Sequence, residues 1–366
     1  MTILAPDERF VHRPLSTKEP FDPDPALTRP LGLLVAAAGA TLRRGRLAEV
    51  RPDSRSVVTG DGETIGYDTL IVAVGARTVP ALGPPAITFS GASDAAAVRE
   101  MVDDVARTAL AGRDVALAFV VPPGPGWDLP AYELSLASAH ALELAGATPL
   151  ARVLLVTPER RPLEIMGDVP SDAVAKDLAA ARVEFVPDAD VRDYDGAELH
   201  AAAGRRIHAD RVVALPHFTG PGIAGLPRDP QGFVPATWTD SRVPGLERVF
   251  VIGDAGGFPV KQGGLACQQA QLAAHAICVA LGIESDLEAW EPALRVAMWN
   301  GEGHRYMRVD LGGGHSESVG VTSDREELWT PGEKIAGRFL PGLLDGSGRE
   351  SLIDWAPRPP HDIDAV

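Results

Sequence analysis

Cysteine is nearly absent from this 366-residue chain, which has only Cys267 and Cys278. Both fall on one stretch that reads as helix. At about 1.5 Å of rise per residue they would stand roughly 16 Å apart, whereas a disulfide needs Cα atoms within about 7 Å. A dithiol within that helix is excluded, and with it redox chemistry run through such a pair. Cys267 reads as a small buried side chain or as a lone thiol. Positive charge is also short: 34 Lys and Arg against 50 Asp and Glu, a net charge of −16. Such a surface repels nucleic acid and anionic lipid, so neither is an expected partner. No apolar run approaches the roughly 20 residues that span a bilayer. The first residues show no basic stretch followed by an apolar core, so a cytoplasmic protein is expected, with peripheral attachment to a membrane left open. The histidines, His208 and His217 among them, offer no metal-ligand spacing, and no metal is expected.

What is present suits an ordinary folded chain. Hydrophobic residues make up 45% and the mean hydropathy is +0.01, and the length allows two or three domains. The most informative stretch is Val249-Phe250-Val251-Ile252-Gly253-Asp254, followed by Lys261-Gln262-Gly263-Gly264-Leu265. It predicts a buried strand over 249–252, a Gly-Asp turn, a loop, and a helix over about 264–281. A carboxylate at a strand end accepts hydrogen bonds from a polyol without a competing donor. A helix start just beyond it presents free N–H groups to an electron-rich edge. A second strand, Leu70-Ile71-Val72-Ala73-Val74, ends at Gly75 and reads as buried and parallel; Tyr67-Asp68 precede it.

Further predicted elements are helices over 27–38, 93–111, 129–145 and about 170–181. Predicted strands lie over 41–50, 56–59, 115–121, 152–157, 183–186 and 206–216. Between the strand at 115–121 and the helix at 129–145 lies Pro122-Pro123-Gly124-Pro125-Gly126-Trp127-Asp128. A phosphate-binding turn at that place carries three glycines in Gly-x-Gly-x-x-Gly; this one has Gly124 and Gly126, then a bulky Trp127. Asp128 is expected to cap the helix, putting negative charge where a pyrophosphate would sit. Glu159 reads as an exposed turn acid, with a ribose contact as the alternative.

The 249–271 and 67–75 motifs resemble those of the pyridine nucleotide–disulfide oxidoreductase superfamily, nearest to type II NADH dehydrogenases and sulfide:quinone reductases. The resemblance implies an α/β fold with two interleaved Rossmann-like, three-layer domains. The first would comprise residues 1–108 and 231–285 and the second 109–230, with a C-terminal interface region and tail over 286–366. It implies FAD, with Asp254 on the ribityl chain, Gly75 and Gly253 at close backbone approach, and Gln262, Gly263 and Gly264 facing the flavin ring. Lys261 would supply positive charge beside that ring and is the one catalytic candidate, an exposed loop lysine being its plain alternative. Pro14 would lie on a loop passing the flavin, and Asp7 or Glu8 near the adenosine ribose. Gly124 and Gly126 would mark a NAD(P)H site. The implied activity passes electrons from NAD(P)H or a sulfur donor to a quinone-like acceptor, with a homodimer as one assembly. The superfamily's opening strand–Gly-x-Gly-x-x-Gly–helix unit is missing from the sequence, so weak FAD retention is expected. That leaves a second reading: a truncated or degenerate scaffold that binds a partner without redox activity.

Overall fold

The computed structural model describes residues 1–23, 28–283, 292–311, 321–323, 326–329, 334–335, 337 and 340–345. Its best-formed layer is a five-stranded parallel sheet in the order Ile87–Thr88, Arg211–Ala214, Val115–Val120, Ala151–Val156, Val183–Val186. Every residue of Val115–Val120 is buried, as a strand covered on both faces requires. Its side chains divide by parity. Leu117 and Phe119 join a core with Val98, Val102 and Val105 of helix Ala95–Leu110. Ala116, Ala118 and Val120 instead meet Tyr194 and Leu199, which belong to a three-stranded antiparallel sheet, Val191–Tyr194, Glu198–Ala201 and Arg206–His208. The predicted 206–216 strand is therefore two strands, broken where the Asp210 carboxylate accepts the Ala116 N–H at 2.8 Å.

Helix Leu129–Leu144 buries eleven of its sixteen residues. A helix apolar on nearly all sides must be covered on nearly all sides. One cover is the parallel sheet. The other is a sheet absent from the sequence reading, Ala293–Trp299, His304–Asp310 and Val321–Ser323, antiparallel throughout. All seven residues of Ala293–Trp299 are buried, and Leu294, Val296, Met298 and Met307 share the core that holds Leu134 and Leu136. Pro357, Pro359 and Pro360 predict a poorly ordered tail, and those residues lie outside the described ones.

The other half is built from smaller sheets. Thr2–Ala5 runs parallel to Thr41–Arg44, and Leu70–Val72 parallel to Val249–Val251. These two pairs are not joined among the described residues. The 70–74 run, expected to be buried, is therefore half exposed: Val72 is buried, but Ile71 and Val74 meet solvent. One neighbour pairs with this strand, so one edge stays open among the described residues. Near the start, Thr28–Pro30 pairs with Arg9–Val11 and helix Leu31–Ala37 begins after Pro30, because proline cannot stand inside a helix. The predicted 27–38 helix is shortened accordingly. The chain returns from one half to the other where Gly220 crosses Gly232 so closely that a Cβ on Gly220 would lie 1.8 Å from the Gly232 carbonyl carbon.

Candidate functional site

Strand Val249–Val251, wholly buried, delivers the chain to Gly253. This glycine is left-handed, with φ of +64°, and a Cβ there would sit 3.3 Å from that of Ala266. Its N–H donates to Gln269 Oε1 at 2.7 Å, pinning the turn to helix Gly263–Ala280. Asp254 follows. Its carboxylate is half-buried and accepts no hydrogen bond from the described residues; burial raises its pKa, opposed by Lys261 and then Arg13. A carboxylate desolvated without a donor is costly, so the turn holds an acceptor ready for a ligand hydroxyl.

Lys261 is not an exposed loop lysine, being only 6% exposed. Its Nζ donates to the carbonyls of Gly256 at 2.6 Å and Asp254 at 3.3 Å and lies 3.7 Å from the centroid of the Phe233 ring. Burial pulls its pKa down to about 8, against the raising effects of Asp254 and Asp229. The ammonium thus ties down the loop that carries Asp254. Gln262 caps the helix, its Oε1 accepting the Leu265 N–H at 2.8 Å while Nε2 donates to the Arg295 carbonyl at 2.8 Å. A Cβ on Gly263 would lie 2.6 Å from Ile335 Cδ1, and one on Gly264 2.8 Å from Gln262 Oε1. Both glycines therefore serve close packing at the helix start. Gly75, with φ of +74°, has open space where a Cβ would be. Burial pushes the Cys267 thiol up to about 11, as for an inert small side chain.

The site has a second anchor that sequence reasoning missed. Glu133 is 1% exposed. Its Oε2 accepts from Thr17 Oγ1 at 2.7 Å and from Lys334 Nζ at 2.6 Å, and its Oε1 accepts the Trp299 N–H at 2.9 Å. Lys334 Nζ also donates to the Pro14 carbonyl at 2.6 Å. One buried carboxylate thus joins the loop carrying Pro14, the C-terminal sheet and the segment that lays Ile335 over the helix start. Nearby, Lys18 Nζ lies 5.5 Å from the Trp299 ring centroid. Burial, then Lys18 and Lys334, pull His304 down to about 4. The clue in the sequence was a lone acid in the run Leu129-Pro130-Ala131-Tyr132-Glu133-Leu134.

Next to the Lys261 loop, the two glycines of the 122–128 turn differ. Gly124 is left-handed and open, with φ of +118°. Gly126 is bonded on both sides: its N–H donates to the Pro259 carbonyl at 3.0 Å and its carbonyl accepts the Lys261 N–H at 2.9 Å. Trp127 packs against the core. Asp128 does not cap the helix, since its side chain makes no cap hydrogen bond. Burial and then Glu164 push its carboxyl up to about 6. Glu159, expected to be exposed, is 8% exposed. Its Oε2 accepts from Tyr132 Oη at 2.5 Å and Thr157 Oγ1 at 3.0 Å, and its Oε1 accepts the Glu164 N–H at 3.2 Å. Burial, then Asp128, raise it to about 8 despite those three donors. Apart from these groups, Asp195, Glu198 and His200 bring ligand atoms within 4.8 Å of one another, but His200 bonds Asp195 at 2.9 Å and Glu198 pairs with Arg206. Among the described residues no helix is long and apolar enough to cross a membrane.

The family description of pyridine nucleotide-disulphide oxidoreductases matches residues 37–280. Among solved structures, the chain is similar to the sulfide:quinone oxidoreductase of Aquifex aeolicus, with TM-score 0.74 and 16% identity over 88% of this chain and 81% of that one. It is similar to NDH2 of Plasmodium falciparum, with TM-score 0.55 and 14% identity over 71% of this chain and 60% of that one. It also resembles a chain in the mitochondrial ATP synthase of Tetrahymena thermophila, with TM-score 0.61 and 11% identity over 87% and 82%. At such identities the likeness is one of fold. None of the curated proteins compared with the chain matches it in sequence.

Proposed function

The chain belongs to the pyridine nucleotide-disulphide oxidoreductase family, and we propose that it is a FAD-dependent oxidoreductase that passes electrons to a quinone-like acceptor. The observation that carries this reading is Asp254, a half-buried carboxylate that accepts no hydrogen bond from the described residues, on a turn pinned by Gln269. The residues fit the ribityl end of FAD. Asp254 would accept from the ribityl hydroxyls, and Gly75 and Gly253 would let backbone approach the ligand. With the Leu265 N–H already held by Gln262, the Gly263 and Gly264 N–H groups at the start of helix Gly263–Ala280 would face the electron-rich edge of the ring. FAD, when bound, supplies the electron-transfer chemistry. The protein's part is to bind, orient and exclude water. Lys261 holds the Asp254 loop and contributes positive charge where negative charge would develop. Glu133 and Lys334 fix the loop of Pro14 against the C-terminal segment. A sulfur donor, or NAD(P)H bound outside the cleft at 122–128, would supply electrons, but Cys267 and Cys278 offer no thiol relay. The two interleaved domains, 1–108 with 231–285 and 109–230, and the interface region over 286–366 remain the proposed division. A cytoplasmic or peripheral position and a homodimer accord with a soluble donor and a quinone-like acceptor.

A second reading, a scaffold without redox activity, draws on the edge of Leu70–Val72 that stays open among the described residues and on the similar chain found within an ATP synthase structure. The visible spectrum of the purified protein incubated with FAD separates the two. A bound flavin band that dithionite bleaches and a short-chain quinone restores supports the oxidoreductase. A protein that stays colourless after exposure to FAD supports the scaffold.

A further inference from the structure

In an open α/β sheet a dinucleotide binds outside the carboxyl ends of the strands. Its pyrophosphate lies on the first glycine turn and helix start, and an acid near the end of the next strand holds the ribose. Strand Val115–Val120, the 122–128 turn, helix Leu129–Leu144 and strand Ala151–Val156 form that frame here. Apart from the open Gly124, its working parts are engaged or wrongly charged. The turn cannot offer the Gly126 N–H, which is bonded to Pro259. The helix start carries the half-buried Asp128 carboxyl at its N-cap position, a like charge for a pyrophosphate. The ribose acid would be Glu159, yet both its oxygens already accept hydrogen bonds, two on Oε2 and one on Oε1. One of those donors, Tyr132 Oη, stands on the helix of the same frame and in turn accepts the Leu163 N–H at 3.0 Å. Leu163 is left-handed, with φ of +46°, so the loop after Glu159 turns back towards the helix and is fastened there.

We infer that this cleft is not a pyridine nucleotide site but a closed joint, with Tyr132–Glu159 as its fastener and the Gly126 bonds to Pro259 and Lys261 tying it to the Asp254 loop. The family's usual cofactor and the residues of this chain disagree at this place. The inference stands whether or not flavin is held; it rests on the oxidoreductase reading only in removing a hydride donor docked in this domain.

The test uses the full chain, with NADH and NADPH as probes in equilibrium dialysis up to about 1 mM, the top of the usual KM range. Hydrogen exchange of the Leu163 and Glu164 amides is followed in parallel. The expected result is no saturable nucleotide binding, with both amides protected and exchanging about tenfold faster or more in Tyr132→Phe, which removes one hydrogen-bonding hydroxyl. Saturable binding that Glu159→Gln weakens about tenfold or more, or amides already unprotected in the parent, would overturn it. Binding that Glu159→Gln leaves unchanged overturns it if nucleotide also alters exchange of the Leu163 and Glu164 amides, and supports it if that exchange stays as in the free protein. Flavin absorbance is read on the same samples, so a colourless protein refutes the flavin reading without touching this one.

Discussion

Replacing Lys334 by Met removes one half of an ion pair whose side chains are 7% and 1% exposed. Glu133 would keep its bonds from Thr17 and the Trp299 N–H but lose its charge partner at 2.6 Å. Leaving a buried charge unpaired costs about 3–5 kcal/mol, whereas replacing both partners with neutral groups is often close to neutral. Lys334→Met should therefore lose about 3 kcal/mol or more. Lys334→Met with Glu133→Gln should recover at least half of that, because a Gln amide still accepts from Thr17 or Trp299. The coupling in the double-mutant cycle should reach about 1.5 kcal/mol, in the range seen for residues in contact. The assay is urea unfolding of the four proteins, following tryptophan fluorescence, since Trp299 lies at the joint. A Lys334→Met midpoint matching the parent, or a double variant as unstable as the sum of the singles, refutes the claim that Glu133 is the anchor of three segments.

Other outcomes follow from single residues. Glu159 has a pKa of about 8 in the folded chain against an ordinary value of 4.5. Between those values the folded protein holds a proton that the unfolded chain releases. Stability from this group is thus full below about pH 4.5, falls as pH rises to about 8, and is flat beyond, with a slope of up to about 1.4 kcal/mol per pH unit. Glu159→Gln should flatten the stability profile between pH 6 and 8, taken as roughly the upper part of that window; parallel profiles for parent and variant count against a protonated Glu159. Gly253→Ala places a side chain at φ of +64° and should cost about 1–2 kcal/mol, read as a lower urea midpoint. Cys267, with its thiol pushed up to about 11, should react with a maleimide in the folded protein more slowly than in urea; equal rates would mean it is accessible.

Much of the fold was legible because it obeys simple periods. Val115–Val120 and Val249–Val251 read as apolar runs and are buried strands, and helix Ala95–Leu110 shows its buried stripe at Val98, Val102 and Val105. The Gly253-Asp254 turn and the helix after it were legible for the same reason: strand, left-handed glycine and cap occur in sequence order. Long-range pairing was not legible. Glu133 meets Thr17, Trp299 and Lys334 only once distant segments pack, and nothing local marks those partners. Asp128 read as a cap from its position before a helix and does stand there, but its side chain makes no cap hydrogen bond. Glu159 follows a strand, where turn acids usually face water; Tyr132, far away in sequence, covers it. The C-terminal sheet escaped because Ala293–Trp299 and His304–Asp310 place Arg295 and Arg308 inside it, which breaks the apolar pattern.

The central claim is that the Asp254 turn grips a flavin, and a titration of FAD into the full chain tests it most directly, following the quenching of flavin fluorescence. The account predicts saturable binding by the parent. It also predicts binding at least about tenfold weaker in Asp254→Ala, the loss of a charged acceptor worth roughly 1.5–3 kcal/mol, with the urea midpoint of that variant unchanged or raised because a desolvated carboxylate has gone. A parent that shows no saturable binding, or an Asp254→Ala variant that binds FAD as tightly as the parent, contradicts it.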